Sequence, residues 1–360
     1  MTPDLPRTLQ EPTTQVGKAD YLRIATEEAW CPPEMFDIYK RILDEGSIDD
    51  PGFMTMFGFY LNSGSTRARQ IRDYITDLGA QRIAHMDERG IDKQVLFLTS
   101  PGVQVMPTAE AVAFAADAND QLAAGCARYP NRLAGLVAVA PQDPAAAAKE
   151  IDRGINKLGL HGVVINSHTF GEYLDDQKFW PILEAAEACD TPIYLHPQVP
   201  HKAMIEPFLD RGLDGAIYGF GVETGLHMLR IMVSGALDRF PRLQFVVGHL
   251  GEALPFWMYR LDYMHRAGVV SKRYAGMPPT ERKLSDYLRQ NIYVTTSGMA
   301  WGPAIKFCQE VLGEDRVMYA MDYPYQHGAE EVVASDNLDI SQAAKKKLFQ
   351  TNAERVFKLT

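Results

Sequence analysis

The chain has few cysteines and no long hydrophobic run, and each shortage excludes a class of protein. Its four cysteines, Cys31, Cys126, Cys189 and Cys308, lie far apart and form no Cys-x-x-Cys pair, so neither a zinc knuckle nor a disulfide framework is indicated. We interpret them as free thiols in a reducing compartment. No apolar stretch is long enough to cross a bilayer, and the first twenty residues contain no apolar signal core. These features predict a cytoplasmic protein with no membrane partner and a flexible N-terminal arm at residues 1–20.

Positive charge is also scarce. The formal net charge is −10 at pH 7, and the only run of basic residues is at 345–347. We therefore expect no nucleic-acid partner. An anionic ligand would have to be held by individual arginines or by a metal ion, because the overall field of the protein does not attract it. The Gly-x-Gly-x-x-Gly motif of dinucleotide-binding sheets is absent as well.

Eight short apolar runs alternate with segments that have helical character. The runs lie at 22–26, 94–98, 133–139, 162–165, 192–195, 243–247, 292–296 and 317–321. Helices are predicted at 67–88, 108–129, 144–158, 179–189, 223–240, 251–266 and 303–312. This alternation predicts an α/β fold with parallel strands and crossover helices, and eight such units predict a closed (β/α)8 barrel of the TIM type. A doubly wound open sheet is the alternative.

The length of 360 residues is compatible with one barrel domain, since such barrels run from about 200 to over 400 residues. We predict a single domain over residues 21–360, with insertions after strands 1 and 5. The insertions are residues 31–66 and 198–220. The first is rich in Pro, Gly, Met and Phe, and we expect it to cover a site.

Four of the apolar runs end on a side chain that can carry chemistry. Glu27 follows the first run and His196 the fifth, while His249 follows the sixth and Asp322 the eighth. In a barrel, reactive groups sit on the loops at the carboxyl ends of the strands. Each residue alone would more often be a helix cap or a hydrogen-bonded structural residue. Their recurrence at equivalent strand ends predicts one shared site.

A metal ion is the simplest ligand for part of this set. Glu27, His196 and Asp322 offer one nitrogen and two carboxylate ligands, which suit Zn²⁺ or Mn²⁺ better than an ion that prefers thiolate. Three protein ligands leave coordination positions open for a substrate. We therefore predict one divalent metal ion, Mn²⁺ or Zn²⁺, per chain.

Several longer motifs carry a resemblance to a known family. They are TEEAW at 26–30, YLHP at 194–197, FGVETGLHMLR at 220–230, DRFPRLQFVVGHLGE at 238–252, MYRLD around Arg260 and MDYPY at 321–325. With these motifs the chain resembles an amidohydrolase-superfamily barrel of the branch that holds the aminocarboxymuconate-semialdehyde and resorcylate decarboxylases. Within that branch it is most similar to the 5-carboxyvanillate decarboxylases. The motifs span most of the chain after residue 20.

Two departures from the superfamily pattern concern the metal. Most members begin with His-x-His on the first strand, where this chain has Glu27 and Ala29. Many binuclear members place a bridging lysine at the end of the fourth strand, where this chain has Asn166. Both departures favour a site that holds one metal ion.

The resemblance implies non-oxidative loss of CO2 from an aromatic acid with an ortho hydroxyl group, without a redox or organic cofactor. The substrate would be 5-carboxyvanillate, converted to vanillate in the catabolism of lignin-derived aromatics. The ion would act as Lewis acid and template. Asp322 is our first choice for the acid that protonates the ring carbon, with His249 and Glu252 positioning it or sharing the proton.

The substrate itself is a small aromatic carboxylate, and four residues are predicted to bind it. Arg260, on the helix expected to begin at Gly251, would face the barrel mouth and clamp an anionic group, with Arg67 as a second candidate. Phe220 and Tyr325 would wall the ring. We leave the other histidines as structural or surface residues: His85, His161, His168, His201, His227, His265 and His327.

Two other functions remain open on the same residues. One is a mononuclear metal-dependent hydrolase of a lactone or amide, in which the ion would activate water. The other is a non-catalytic barrel that binds a small acid. For the assembly we expect a homo-oligomer, either a dimer or a tetramer.

Overall fold

A computed structural model of the chain describes residues 16–359. The strands are β1 (Ile24–Trp30), β2 (Lys93–Leu98), β3 (Leu133–Gly135), β4 (Val137–Ala138), β5 (Val163–Asn166), β6 (Ile193–His196), β7 (Phe245–Val247), β8 (Ile292–Thr295) and β9 (Val317–Met318). Every pairing between neighbouring strands is parallel. The order is β1-β2-β3 in one sheet and β4-β5-β6-β7-β8-β9 in the other.

Backbone hydrogen bonds join the two sheets at both seams. β3 and β4 are halves of one strand that is interrupted at Leu136, and the Leu136 amide still donates to the carbonyl of Leu96 in β2 at 2.8 Å. At the other seam, Thr26 of β1 donates to the carbonyl of Tyr319, just after β9, at 3.1 Å. Eight successive parallel strands therefore form the predicted (β/α)8 arrangement.

The helices follow the strands as the barrel requires. They are α1 (Glu34–Glu45), α2 (Pro51–Asn62), α3 (Thr66–Ile75), α4 (Ala80–Glu88), α5 (Thr108–Arg128), α6 (Pro144–Asn156), α7 (Trp180–Ala188), α8 (Glu206–Leu209), α9 (Gly219–Val233), α10 (Ala236–Arg239), α11 (His249–Glu252), α12 (Leu254–Ser271), α13 (Leu284–Asn291), α14 (Gly302–Leu312), α15 (Ala329–Asp336), α16 (Gln342–Lys346) and α17 (Asn352–Phe357). The first insertion contains α1 and α2, and the second contains α8.

Two of the predicted helices are split in the structure. The segment 67–88 divides into α3 and α4, because Asp77 leaves the helix and its carboxylate accepts the amide of Arg82 at 2.6 Å. The segment 223–240 divides after α9, where Gly235 adopts a left-handed φ of 86°. Other local predictions are confirmed: Asp143 caps α6 by accepting the amide of Ala146 at 3.0 Å.

Of the predicted N-terminal arm, residues 1–15 lie outside the described residues. Residues 16–20 form no helix or strand, and the carbonyl of Gly17 accepts a hydrogen bond from the Arg23 side chain at 2.8 Å. In the described chain, none of the helices combines the length and the apolar character that crossing a bilayer requires. All four cysteines are free thiols.

Candidate metal and active site

The predicted groups meet at the carboxyl ends of the strands. Glu27 on β1 is fully buried, and its Oε1 lies 3.7 Å from Nε2 of His196 at the end of β6. The same oxygen lies 3.7 Å from Nε2 of His249, which follows β7. Asp322 is close enough for the charges of His249 and Glu27 to act on its carboxyl group. Four residues from distant parts of the sequence therefore share one site.

The two oxygens of Glu27 have different environments. Oε2 accepts hydrogen bonds from the hydroxyl groups of Tyr194 and Thr295, the latter at 2.9 Å. Oε1 is buried, faces the two imidazoles, and has no hydrogen-bond partner among the described residues. An unpaired carboxylate oxygen in a buried site is costly unless a cation neutralises it. Glu27 is therefore arranged as a metal ligand: hydrogen bonds hold Oε2, and Oε1 is free to bind the ion.

His196 is prepared for the same role. Its Nδ1 lies 2.9 Å from Oδ1 of Asn166, an oxygen that can only accept, so we assign the imidazole proton to Nδ1. Nε2 then carries the lone pair. Burial lowers the pKa of His196 to about 4, which keeps the ring neutral and able to bind a metal at neutral pH. Asn166 is the hydrogen-bonded support that metal-bound histidines commonly have.

The donors around Oε1 of Glu27 are spaced somewhat more widely than the ligands of a bound ion. Two ligands at about 2.1 Å from one ion, in tetrahedral geometry, are about 3.4 Å apart. Oε1 of Glu27 is 3.7 Å from each imidazole nitrogen, slightly wider than that. Within residues 16–359, no group of three or more such side chains is drawn together tightly enough to hold an ion. The donors would have to move closer together to bind one.

His249 begins α11, a single turn whose backbone is left-handed rather than α-helical. Every residue from 249 to 253 has a positive φ, between 49° and 77°. The turn brings Glu252 back onto the imidazole, so that its Oε1 lies 2.7 Å from Nδ1 of His249. The helix predicted to start at Gly251 therefore starts at Leu254, because a left-handed backbone cannot continue as an α-helix.

The electrostatics of this group favour bound protons. Burial opposes the charged form of His249, but the carboxylates of Glu252 and Glu27 outweigh it and raise the pKa to about 10. Burial, with help from Glu27, raises the pKa of Asp322 well above its ordinary range, while His249 opposes the shift. A bound cation would lower both pKa values, since positive charge favours carboxylate and neutral imidazole. His249, Glu252 and Asp322 together form a place where one proton can be held and passed on.

A cavity of about 580 Å³ opens above these groups. His249, Glu252 and Asp322 lie in its lining, and Phe220 of α9 and Trp257 of α12 contribute aromatic walls. This volume lies within the usual range of small-molecule pockets, about 300 to 1,000 Å³. Most of the lining residues are apolar, and His249, Glu252, Asp322 and Gln326 are the polar ones.

The predicted substrate-binding residues are not all placed alike. Phe220 lines the cavity, whereas Tyr325 is half-buried outside the lining, with its hydroxyl 2.8 Å from that of Thr99. Arg67 donates to the carbonyl of Tyr325 at 2.8 Å, and its charge acts on Asp322.

Arg260 is exposed on α12 and lies outside the cavity lining, and within residues 16–359 it makes no hydrogen bond or ion pair. Its role as an anion clamp stays a prediction. The seven other histidines also lie outside the cavity lining; His161, for example, bonds to the carbonyl of Phe357 at 3.0 Å.

Sequence reasoning missed the residues that support the ligands. Tyr194 stands two positions before His196 on one strand, and residues at that spacing share a face, so its inward position was predictable. Thr295 and Glu27 are 268 positions apart, and no local signal connects them. Asn166 stands where many binuclear members have a bridging lysine, and the sequence does not reveal that it bonds to His196.

Comparisons with known proteins identify the family of the chain. An amidohydrolase family model matches residues 36–359. A gamma-resorcylate decarboxylase from Polaromonas sp. (strain JS666) is 34% identical over 298 residues, which cover 81% of this chain and 90% of the relative.

Two solved structures are similar over nearly the whole chain. One is a 5-carboxyvanillate decarboxylase from Novosphingobium aromaticivorans DSM 12444, complexed with manganese and 4-hydroxy-3-methoxy-5-nitrobenzoic acid. It is 55% identical with a TM-score of 0.93, covering 94% of this chain and 97% of that one. The other, a 5-carboxyvanillate decarboxylase from Sphingomonas paucimobilis, is 39% identical with a TM-score of 0.89, covering 95% and 100%. The chain belongs to the amidohydrolase family, as its motifs predicted.

Proposed function

We propose that the protein is a metal-dependent carboxy-lyase that converts 5-carboxyvanillate to vanillate in the catabolism of lignin-derived aromatics. The observation that carries the proposal is the free Oε1 of Glu27, which faces His196 and His249, the latter in the lining of a cavity of about 580 Å³. The choice of substrate is supported by the 55% identical structure, whose bound ligand is a nitro analogue of such an acid.

The ion would be held by Glu27, His196 and Asp322. As a divalent cation, Mn²⁺ or Zn²⁺, it supplies a Lewis acid and a template for the phenolic oxygen and the carboxylate of the substrate. Manganese is the ion bound in the 55% identical structure. The carboxylate and imidazole donors of this chain suit either metal. We expect metal analysis of the purified protein to give one ion per chain, and two would contradict the ligand assignment.

Side chains of the protein would supply the proton that replaces CO2 on the ring. The ring carbon that bears the carboxylate gains a proton, and the electron pair of the breaking C–C bond then restores the aromatic ring as CO2 leaves. Asp322 is placed to deliver this proton, because its carboxyl lies in the cavity wall beside His249. His249, bonded to Glu252, can return a proton to Asp322 after each turnover.

Binding of the remaining substrate groups would depend on the cavity wall. Phe220 can stack on the ring, and Arg67 can attract an anionic substituent next to Tyr325. Arg260, the first candidate for the anion clamp from the sequence, lies outside the cavity lining and stays a proposal. If kcat/KM of both Arg260→Met and Arg260→Lys stays within about threefold of the parent value, about 0.7 kcal/mol, the clamp assignment to Arg260 is wrong.

We also propose a homo-oligomeric assembly and a cytoplasmic location. The outer face of α12 exposes several large apolar side chains, including Phe256 and Tyr259, which are 73% and 84% exposed. A contiguous apolar face of this kind is typical of a subunit interface. The four free thiols support a reducing compartment.

The test is direct. Purified protein loaded with Mn²⁺ is incubated with 5-carboxyvanillate and with other hydroxybenzoates, and CO2 and the product phenol are measured together. We expect equal amounts of CO2 and vanillate from 5-carboxyvanillate, and none from the Glu27→Ala variant. Turnover of lactones or amides without CO2 would show a hydrolase instead. Binding of metal and acid without any turnover would show a non-catalytic barrel.

A further inference from the structure

We propose that Glu28 is a positioning residue that fixes Asp322 in the site by holding the backbone on both sides of it. The inference rests on the proposed function, because it assigns Glu28 a part in metal binding and proton delivery by Asp322. Glu28 is not in the cavity lining, and it makes no hydrogen bond to Oε1 of Glu27. Its proposed effect on the site is therefore indirect, through the backbone beside Asp322.

Glu28 accepts hydrogen bonds from the two backbone amides that flank Asp322. Its Oε1 accepts the amide of Met321 at 3.0 Å, and its Oε2 accepts the amide of Tyr323 at 3.2 Å. One carboxylate therefore spans the residue that lies between these two amides. Glu28 is fully buried, so water does not compete for these bonds.

Asp322 needs such support because its backbone is in an unfavourable region. Its φ is 78°, a left-handed value that side chains other than glycine rarely adopt. A residue keeps such a conformation only where its surroundings impose it. Regular strand pairing ends with β9 at Met318, four residues earlier, and next to Asp322 the Ala29 amide of β1 donates to the Tyr323 carbonyl at 2.7 Å. Glu28 adds to this bond on one side of Asp322 and holds the amide of Met321 on the other.

The position of Glu28 follows from the local structure of β1. Adjacent residues of a strand point to opposite faces, so Glu27 and Glu28 divide between the inside and the outside of the barrel. The pairing of β1 with β2 shifts register between Ala25 and Glu28, a bulge of the kind that re-aims side chains near functional sites. Two consecutive acidic residues thus contribute to one site. Glu27 faces the two imidazoles, and Glu28 bonds to the backbone on both sides of Asp322.

A buried network holds Glu28 in place. Nε2 of Gln94 donates to Oε2 of Glu28 at 3.4 Å, and Oε1 of Gln94 accepts from Nη1 of Arg82 at 3.1 Å. Arg82 is itself fully buried, and its guanidinium lies 4.6 Å from the centre of the Tyr323 ring. The positive charge of Arg82 compensates the buried carboxylate and contacts the same residue whose amide Glu28 accepts.

The same seam contains another buried side-chain contact, which does not flank Asp322. The hydroxyl of Thr26, two residues before Glu28, donates to the carbonyl of Tyr319 at 2.8 Å, and the amide of Thr26 donates to the same carbonyl at 3.1 Å. Removing the hydroxyl therefore weakens the tie between β1 and the segment after β9 without touching the peptides beside Asp322. It tests whether loss of any side-chain contact at this seam is enough to impair the site.

The experiment compares Glu28→Gln with Thr26→Val. Glutamine keeps the size of the side chain but has only one acceptor oxygen, so one of the two flanking amides faces an NH2 group. We expect Glu28→Gln to lower kcat at least about tenfold with KM changed less than about threefold. Its Kd for Mn²⁺, measured by competition with a chelating dye, should rise about 10 to 100-fold, as for loss of other indirect supports of a metal ligand. Thr26→Val should keep kcat and Kd within about twofold, whatever its Tm.

The proposal is overturned if folded Glu28→Gln keeps the parent kcat and Kd, or if Thr26→Val loses as much as Glu28→Gln. Should Glu28→Gln fail to fold, Gln94→Met removes the brace on Oε2 and should shift kcat and Kd in the same direction; no change there also overturns the proposal. A parent protein that binds Mn²⁺ but decarboxylates nothing would refute the proposed function alone, since the comparison of Kd values still tests the role of Glu28.

Discussion

At the scale of single residues, the support of Glu27 is open to a direct test. Tyr194→Phe removes one of the two hydroxyl groups on Oε2 and frees the carboxylate to rotate. We expect the Kd for Mn²⁺ to rise about 10 to 100-fold, with activity recovered at high metal concentration. Tyr319→Phe is the control, because the buried Tyr319 hydroxyl has no partner among the described residues. Equal metal affinity in both variants would show that Tyr194 does not support the ligand.

The two imidazoles near Glu27 should differ in their effect on metal binding. Both lie 3.7 Å from Oε1, so distance alone does not separate them. Burial keeps His196 neutral and Asn166 orients its ring, as a ligand requires, whereas His249 is paired with Glu252. We therefore expect His196→Asn to lose most of its metal, and His249→Asn to retain more metal while losing turnover. Metal content and kcat of the two variants decide this, and greater metal loss in His249→Asn would reverse the assignment.

Glu223 on α9 provides a pH-dependent contribution to stability. Burial raises its pKa to about 7, although the hydroxyl groups of Tyr173 and Ser167 donate to it and oppose the shift. The unfolded carboxyl ionises near pH 4.3. The folded protein therefore holds the proton over a wider range, and its stability falls as pH rises from about 4.3 to about 7, by about 4 kcal/mol.

Glu223→Gln cannot titrate, so its stability relative to the parent should rise over that pH interval and stay constant above it. The groups facing the carboxyl, which include His201, Asp50 and His227, are unchanged in the variant. Urea unfolding at pH 5 and pH 8 measures the effect, with the exposed Glu184→Gln as control. A difference that is the same at both pH values would mean that Glu223 is ionised in the folded state.

At the scale of elements, Gly248 lies between β7 and the left-handed turn, where the backbone passes close to Glu27. A Cβ added at Gly248 would lie 2.4 Å from Oε2 of Glu27, too close for any side chain. Gly248→Ala should therefore displace the carboxylate, raise the Kd for Mn²⁺ at least about tenfold and lower Tm. Gly58→Ala, in α2 with no atom within 4 Å of the added Cβ, should leave metal binding unchanged. Unchanged metal binding in Gly248→Ala would show that Glu27 is not held at this position.

At the scale of the whole molecule, the exposed face of α12 predicts the assembly. Phe256 and Tyr259 point away from the barrel and outside the cavity lining, so replacing both by Glu should disrupt subunit contacts and leave the fold of each chain intact. Sedimentation velocity should show an oligomer for the parent and a smaller species for the double variant. A parent protein that sediments as a monomer at micromolar concentration would contradict the proposed assembly.

The amino-acid sequence by itself determined the barrel and the positions of its reactive side chains. Strand and helix alternation is encoded in short apolar runs and local breakers, and parallel strands necessarily bring their carboxyl ends together. That placed Glu27, His196 and Asp322 at one end of the barrel. Tertiary structure alone decided how these side chains are held. The bonds from Thr295 to Glu27 and from Met321 to Glu28 join residues 268 and 293 positions apart, and the turn after Gly248 takes its left-handed path against those packed strands. Such contacts depend on which strands become neighbours, and no local pattern specifies that.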